Sequence, residues 1–436
     1  MSASSCDPES SKHRISDTSI VSRLVRVFGP GLVTGASDDD PSGIATYSQA
    51  GAQFGFGITW TLFFTYPLMA AIQEISARVG RTTGRGIAAN LRRYYPVWVL
   101  QGVVALLLIA NMINIGSDLG AMGDAAAQLL GGPKSLFVVL FAVVCASLQV
   151  FVQYSRYVAV LKWTTLSLFA YFGTVLVVEV PWGEVARGLF IPRFTTQLDF
   201  WTMVVAIFGT TISPYLFFWQ ASEEVEEIAD VAVRKPLLRS PRQGSDAIRR
   251  IKADTYVGMA FSNLVGLAIM ITTAATLHAA GNTRIETSAQ AAEALKPVAG
   301  GLAFVIFSLG IIGTGFLAVP VLAGSAAYAI GEAFRWPVGL ARQPLQAKNF
   351  YLTITIATLS GTIICLSPLD PIRALFWSAV TNGVVAVPVM VMMMLMTSNK
   401  NVMGKFVVTG MLRLVGWIAT LAMGFAAAGM GIATML

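Results

Sequence analysis

The chain is predicted to be an all-α integral membrane protein, and three observations carry that reading. Of its 436 residues 55% are hydrophobic and only 12% are charged, against roughly 25% charged in an ordinary soluble domain. The apolar residues gather in runs long enough to cross a bilayer, which takes roughly 20 residues as a helix. The 40 Gly and 18 Pro agree, because both are commoner in transmembrane helices than in soluble ones.

Residues 1–22 are polar and lack the apolar core of a cleavable signal peptide. They are expected to form a disordered cytosolic tail. Eleven spans follow, near 28–53, 57–78, 97–128, 135–155, 158–180, 200–228, 253–280, 297–331, 350–367, 372–397 and 413–434. Several exceed one crossing, so their ends should tilt or project. Two five-helix repeats are predicted over 23–180 and 200–397, with an additional helix over 413–434. Cys6, Cys145 and Cys365 lie far apart without metal-ligand spacing, which predicts neither disulfides nor zinc.

Cationic residues decide orientation. With the N-terminus inside, 24 of 30 Lys+Arg fall in inner segments and six outside. Arg78, Arg81, Arg85, Arg92 and Arg93 follow span 2, and Arg234 through Lys252 follow span 6. This predicts a multi-pass protein of the plasma membrane with its N-terminus cytoplasmic and its C-terminus extracellular. The net charge of +7 is thereby explained by topology, and nucleic acid is not an expected partner. Nor is an obligate protein partner or a resident cofactor.

Two spans are interrupted. Span 1 reads GPGLVTGASDDDPSGIATYSQAG, with three aspartates and Asp-Pro-Ser-Gly at its middle. Span 6 is broken at Gly209-Thr210-Thr211-Ile212-Ser213-Pro214. Pro41 and Pro214 each remove an N–H and free carbonyls upstream, and Ser42 and Gly209 flank the breaks. Freed carbonyls cannot face lipid, so both breaks must line protein or water. As first members of two halves inserted in opposite directions, spans 1 and 6 mark a transporter site near the midplane.

Asp38, Asp39 and Asp40 cost about 3 kcal/mol each near a bilayer centre, which argues for a task. Carboxylates beside unpaired carbonyls suit a hard cation. The candidate ligands are the Asp40 carboxylate, the Ser37 carbonyl, the Thr210 carbonyl and the Ser213 hydroxyl or carbonyl. Asp38 and Asp39 would attract the ion or hold its water. No Met, Cys or His falls in either break, which argues against a soft-metal site.

GPGLVTGASDDDPSG, ATYSQAGAQFGF and TGRGIAANLRRYYP resemble the Nramp divalent-metal transporters, and the likeness covers nearly the whole chain. It implies the LeuT-type 5+5 inverted-repeat fold with helices 1 and 6 broken. Where that family carries Asp-Pro-Gly-Asn, this chain has Asp40-Pro41-Ser42-Gly43, so Gly43 replaces a ligand Asn. Where the family carries Met-Pro-His, it has Ser213-Pro214-Tyr215. Loss of the thioether relaxes discrimination against Mg²⁺. A roomier all-oxygen pocket suits a partly hydrated Mg²⁺, which dehydrates reluctantly. These departures resemble the Nramp-related magnesium transporters.

The likeness places Tyr215 and Gln220 where the family has its span-6 histidines, and neither titrates near neutral pH as imidazole would. Asp118 matches one acid of span 3, while its expected partner is Ala121. The predicted function is uptake of Mg²⁺, and also Mn²⁺, uncoupled from protons and driven by gradient and potential. The alternatives are a proton-coupled Mn²⁺/Fe²⁺ transporter of the same family and a Na⁺-coupled amino-acid transporter of the same fold. Three aspartates would repel an amino-acid carboxylate. An enzyme is not predicted, since no Ser-His-Asp set, metal-binding His pair or phosphate loop is present.

Other polar residues complete the candidate pathway. Asn111, Asn114 and Asp118 share one face of span 3, lining an aqueous route or bonding helix to helix. Asn382 is a single polar residue on span 10, and Glu223 opens an acidic run, ten residues beyond Ser213. That is about 15 Å along a helix, too far for ligation, so the run is read as an inner vestibule or a solvated helix end. Gln73 and Glu74 either pack on span 1 or pair with an arginine. The Met390–Met396 run is expected to face lipid or to pack.

Overall fold

The computed structural model describes residue 35 and residues 38–152, 167–231, 233–366 and 370–435. All regular structure among them is helical. Ser37, the tail and most of the first half of span 1 lie outside the described residues. Span 5 is described only from Ser167.

Fourteen helices carry the architecture: α1 Pro41–Phe54, α2 Trp60–Thr83, α3 Ile87–Tyr94, α4 Val97–Leu130, α5 Lys134–Phe151, α6 Phe169–Val177 and α7 Trp182–Phe190. Then come α8 Leu198–Thr211, α9 Pro214–Asp230, α10 Gly244–Thr273, α11 Ala303–Phe334, α12 Lys348–Cys365, α13 Pro371–Ser398 and α14 Gly410–Ala433. Among the described residues, seven stretches are long and apolar enough to cross a membrane: α4, α5, α8 with α9, Pro241–His278, Lys296–Phe334, α13 and α14. An eighth is added if α1 and α2, which meet at 107°, count as one.

Some boundaries differ from the sequence reading. The span predicted from 253 begins at Gly244, because its charged first turns pair with α9 instead of meeting lipid. α2 runs on to Thr83 and stops at Gly84, whose φ of 64° supplies the left-handed cap. Helix α7 was not predicted. Its nine residues are too few to cross a bilayer, and Gly188 packs on the Phe56 carbonyl.

The paired helices α8 and α9 are the most enclosed of the spans, whereas α5 and α14 present apolar side chains such as Leu140 and Leu421 outward. α4 runs through the bundle against α11, α12 and α13, and α1 lies on α10 and α13. Where α8 crosses α13, Gly209 meets the Ala379 carbonyl and Gly383, so a Cβ there would collide with backbone. Met390, Met393, Met394 and Met396 are fully buried, so that run packs inside the bundle.

Candidate cation site at two helix breaks

Both prolines restart a helix. Pro41 and Pro214 occupy the first positions of α1 and α9, where a missing N–H costs nothing. The residue before each, Asp40 and Ser213, has an extended backbone. Their side chains then act in opposite directions. Asp40 reaches forward: its Oδ1 accepts from Ser42 Oγ at 2.6 Å and from the Gly43 N–H at 2.7 Å. Ser213 reaches back, its hydroxyl donating to the carbonyls of Gly209 at 2.8 Å and Thr210 at 3.1 Å. With that proton spent inside the helix, the Ser213 oxygen has only acceptor capacity left.

The two breaks meet. A Cβ placed on Gly43 would lie 3.0 Å from Thr210 Oγ1, so glycine permits this approach. Tyr215, first residue after Pro214, brings its hydroxyl to 3.5 Å from Asp40 Oδ2. From α4, Asn114 Nδ2 stands 3.5 Å from the same oxygen. Asp40 therefore has one oxygen saturated by its own helix and a second with only long contacts. Asp40 is 1% exposed.

Asp38 and Asp39 turn elsewhere. Ser262 of α10 gives its single hydroxyl to both, 2.7 Å from Asp38 Oδ2 and 3.1 Å from Asp39 Oδ1. Ser262 was missed in the sequence, though Ser262-Asn263 is a polar pair within an apolar stretch. No ion pair among the described residues involves any of the three aspartates.

The predicted polar face of α4 divides. Asn111 donates to the Leu322 carbonyl at 2.9 Å and to Ser325 Oγ at 2.8 Å, tying α4 to α11. Asn114 faces Asp40. Asp118 is fully buried with no hydrogen-bond partner on either carboxylate oxygen among the described residues. Asn382, beside the Gly209–Gly383 crossing, is likewise buried with neither amide atom bonded.

Three carboxylates of the acidic run on α9 are engaged by other protein groups. Glu224 pairs with Arg250 at 2.8 Å, and Arg250 also reaches Glu227 at 2.7 Å. Glu227 further pairs with Arg234. Glu226 accepts from the Tyr328 hydroxyl and from the Leu340 N–H, the latter at 2.6 Å. These pairs form because the basic link after α9 folds back, which the sequence by itself does not show. Gln220 is buried on α9, and Glu223 at the start of the run is half-buried. Glu74 pairs with Arg78 one turn on.

At the opposite end, a cavity of about 400 Å³ opens between α1, α8, α13 and residues 284–286. It reaches down α1 to Ala45, five residues beyond Asp40. Among the described residues no three His, Cys, Asp or Glu side chains are grouped to hold a metal. At the break, Asp40 Oδ2 is the carboxylate oxygen of that residue left with only long contacts, beside neutral oxygen groups such as Thr210 Oγ1.

A family model described as natural resistance-associated macrophage protein-like, Nramp, matches residues 31–433. The divalent metal cation transporter MntH of Pectobacterium carotovorum is 26% identical over 404 residues, covering 90% of this chain and 91% of that one. MntH of Klebsiella pneumoniae is 27% identical over 403 residues, with 90% of each chain covered. Among solved structures, an Eremococcus coleocola manganese transporter superposes with a TM-score of 0.74 at 16% identity, covering 94% of this chain and 86% of that one. A nucleobase-cation-symport-1 family transporter gives 0.55 at 14% identity, covering 94% and 93%.

Proposed function

We propose that this chain, which belongs to the Nramp family, carries Mg²⁺, and also Mn²⁺, across the plasma membrane. Members of the family are transporters and not enzymes. The observation that carries the reading is the second Asp40 oxygen, buried where α1, α4 and α9 converge and held by nothing shorter than 3.5 Å. Tyr215 and Asn114 approach that oxygen and Thr210 lies against Gly43; Ser213 and Asn382 are proposed to add an oxygen donor and an amide. Gly43 supplies room instead of a ligand, its N–H being spent on Asp40. Ser37 completes the proposed ligand set. A hard, partly hydrated divalent ion matches this chemistry.

The eleven-span topology, with two inverted repeats over 23–180 and 200–397, agrees with the paired restarts at Pro41 and Pro214. In that topology the N-terminus is cytoplasmic, and the 400 Å³ cavity faces outward. Transport without protons is supported by tyrosine and glutamine at positions 215 and 220. Membrane potential then drives entry, with about 2.3 kcal/mol per charge per 100 mV.

One observation favours a second reading. The buried, unbonded Asp118 carboxyl is a group able to carry a proton one turn beyond Asn114. Protein in liposomes, assayed for Mg²⁺, Mn²⁺ and Ca²⁺ influx with an internal pH probe, separates the two. Mg²⁺ entry at constant internal pH is expected. Acidification in step with influx would replace uncoupled transport by proton coupling, and absence of any divalent flux would remove both readings.

A further inference from the structure

At the end of the bundle that carries the α9 ion pairs, a second cavity of about 450 Å³ is lined by Arg85, Ala89, Arg92, Arg93 and Arg335. Four guanidinium-bearing residues from two separated parts of the chain thus converge on one space. The inner bias of cationic residues accounts for their number. It does not account for like charges being brought together, which is unfavourable without a counter-ion.

The nearby carboxylate is already committed. Glu332 accepts from the N–H groups of Gly86 and Ala89, at 3.1 and 3.0 Å, and so caps the start of α3. Arg92 donates to the Glu332 backbone carbonyl. None of the ion pairs among the described residues uses Arg85, Arg92, Arg93 or Arg335. Burial and then the charge of Arg335 lower the Arg92 guanidinium from its ordinary value, Glu332 opposing and Arg85 adding.

Arg335 has a further peculiarity. It closes α11 with φ 62°, the sole positive-φ residue other than glycine among the described residues. Glycine takes this position without cost, as Gly84 does at the end of α2. A side chain there costs about 1 kcal/mol, yet it projects a guanidinium beside α3. The flanks are aromatic: Phe334 and Trp336 stack at 5.2 Å. Phe334 is 67% exposed, and Trp98, just past Arg93, is 74% exposed. Exposed aromatic side chains of this kind sit at headgroup level in membrane proteins.

We propose that this arginine-lined cavity binds a phosphate anion, held by Arg85, Arg92, Arg93 and Arg335 and bridging α3 to the end of α11. Guanidinium pairs phosphate oxygens bidentately, and basic pockets at the inner face suit anionic headgroups. The phosphate can come from an anionic phospholipid or from solution.

The test is native mass spectrometry of the full chain from nanodiscs containing phosphatidylglycerol in phosphatidylcholine. Thermal melting in lipid-free detergent with inorganic phosphate runs in parallel. The variant Arg85→Gln/Arg335→Asn removes two guanidinium groups, and asparagine tolerates the left-handed backbone. Arg239→Gln/Arg242→Gln is the control for inner charge outside the cavity. Wild type and control should retain phosphatidylglycerol about tenfold more tightly than the cavity variant, which assigns the lipid source. Phosphate stabilisation lost only in the cavity variant assigns the soluble source. The exposed Arg93→Gln gives a second variant, expected to weaken the same binding, should the first not fold. Equal retention by all proteins, with no phosphate effect, overturns the proposal.

Discussion

Two groups of buried or half-buried carboxylates lie on this molecule, at the break of α1 and along the end of α9, and their partners differ. Glu224 and Glu227 are matched by Arg250 and Arg234, and Glu226 by a hydroxyl and backbone N–H groups. Among the described residues, Asp38, Asp39 and Asp40 receive only hydroxyl, amide and backbone donors, with no cationic side chain. The same residue chemistry thus has two outcomes. Where the protein supplies the cation, carboxylates lock α9 to the following link and to α10. Where it supplies none, the carboxylates rest on hydroxyl, amide and backbone donors, and it is there that a cation from outside is proposed to bind.

The comparison breaks first at Asp40. Asp40→Ala should abolish flux of every divalent ion in liposomes while the protein still elutes as a folded species. Wild-type rates in that variant would mean that the unmatched carboxylate serves only as a helix cap. At the other end, Arg250→Ala should destabilise the fold by about 3 kcal/mol, the cost of stranding one partner of a buried pair. Chemical denaturation in detergent reads this directly, and an unchanged midpoint would make the α9 pairs ornamental. The smallest effect sharpens the oxygen-only character of the site. Ser213→Met should raise Mn²⁺ over Mg²⁺ preference by about tenfold, ~1.4 kcal/mol, through its softer sulfur. An unchanged ion ranking would place Ser213 away from the cargo.

Composition and local pattern determined a great deal here. Apolar runs identify lipid as solvent, and a proline marks each helix interruption, joined in span 1 by three consecutive aspartates, because backbone and side-chain costs in a bilayer are local and large. Asp40 stood out as a carboxylate at the first break, whereas its role as cap of α1 and its approach to Tyr215, 175 residues away, came from the structure. The basic link and the acidic end of α9 were each visible, but their pairing was not. Glu224 and Arg250 are 26 residues apart, and only the fold-back of the link brings them together. The same holds for Ser262 on Asp38, for Asn111 on α11 rather than in the pathway, and for four arginines around one cavity. Tertiary structure decided these, since a hydrogen bond or ion pair depends on angstrom-scale placement that no spacing along the chain specifies.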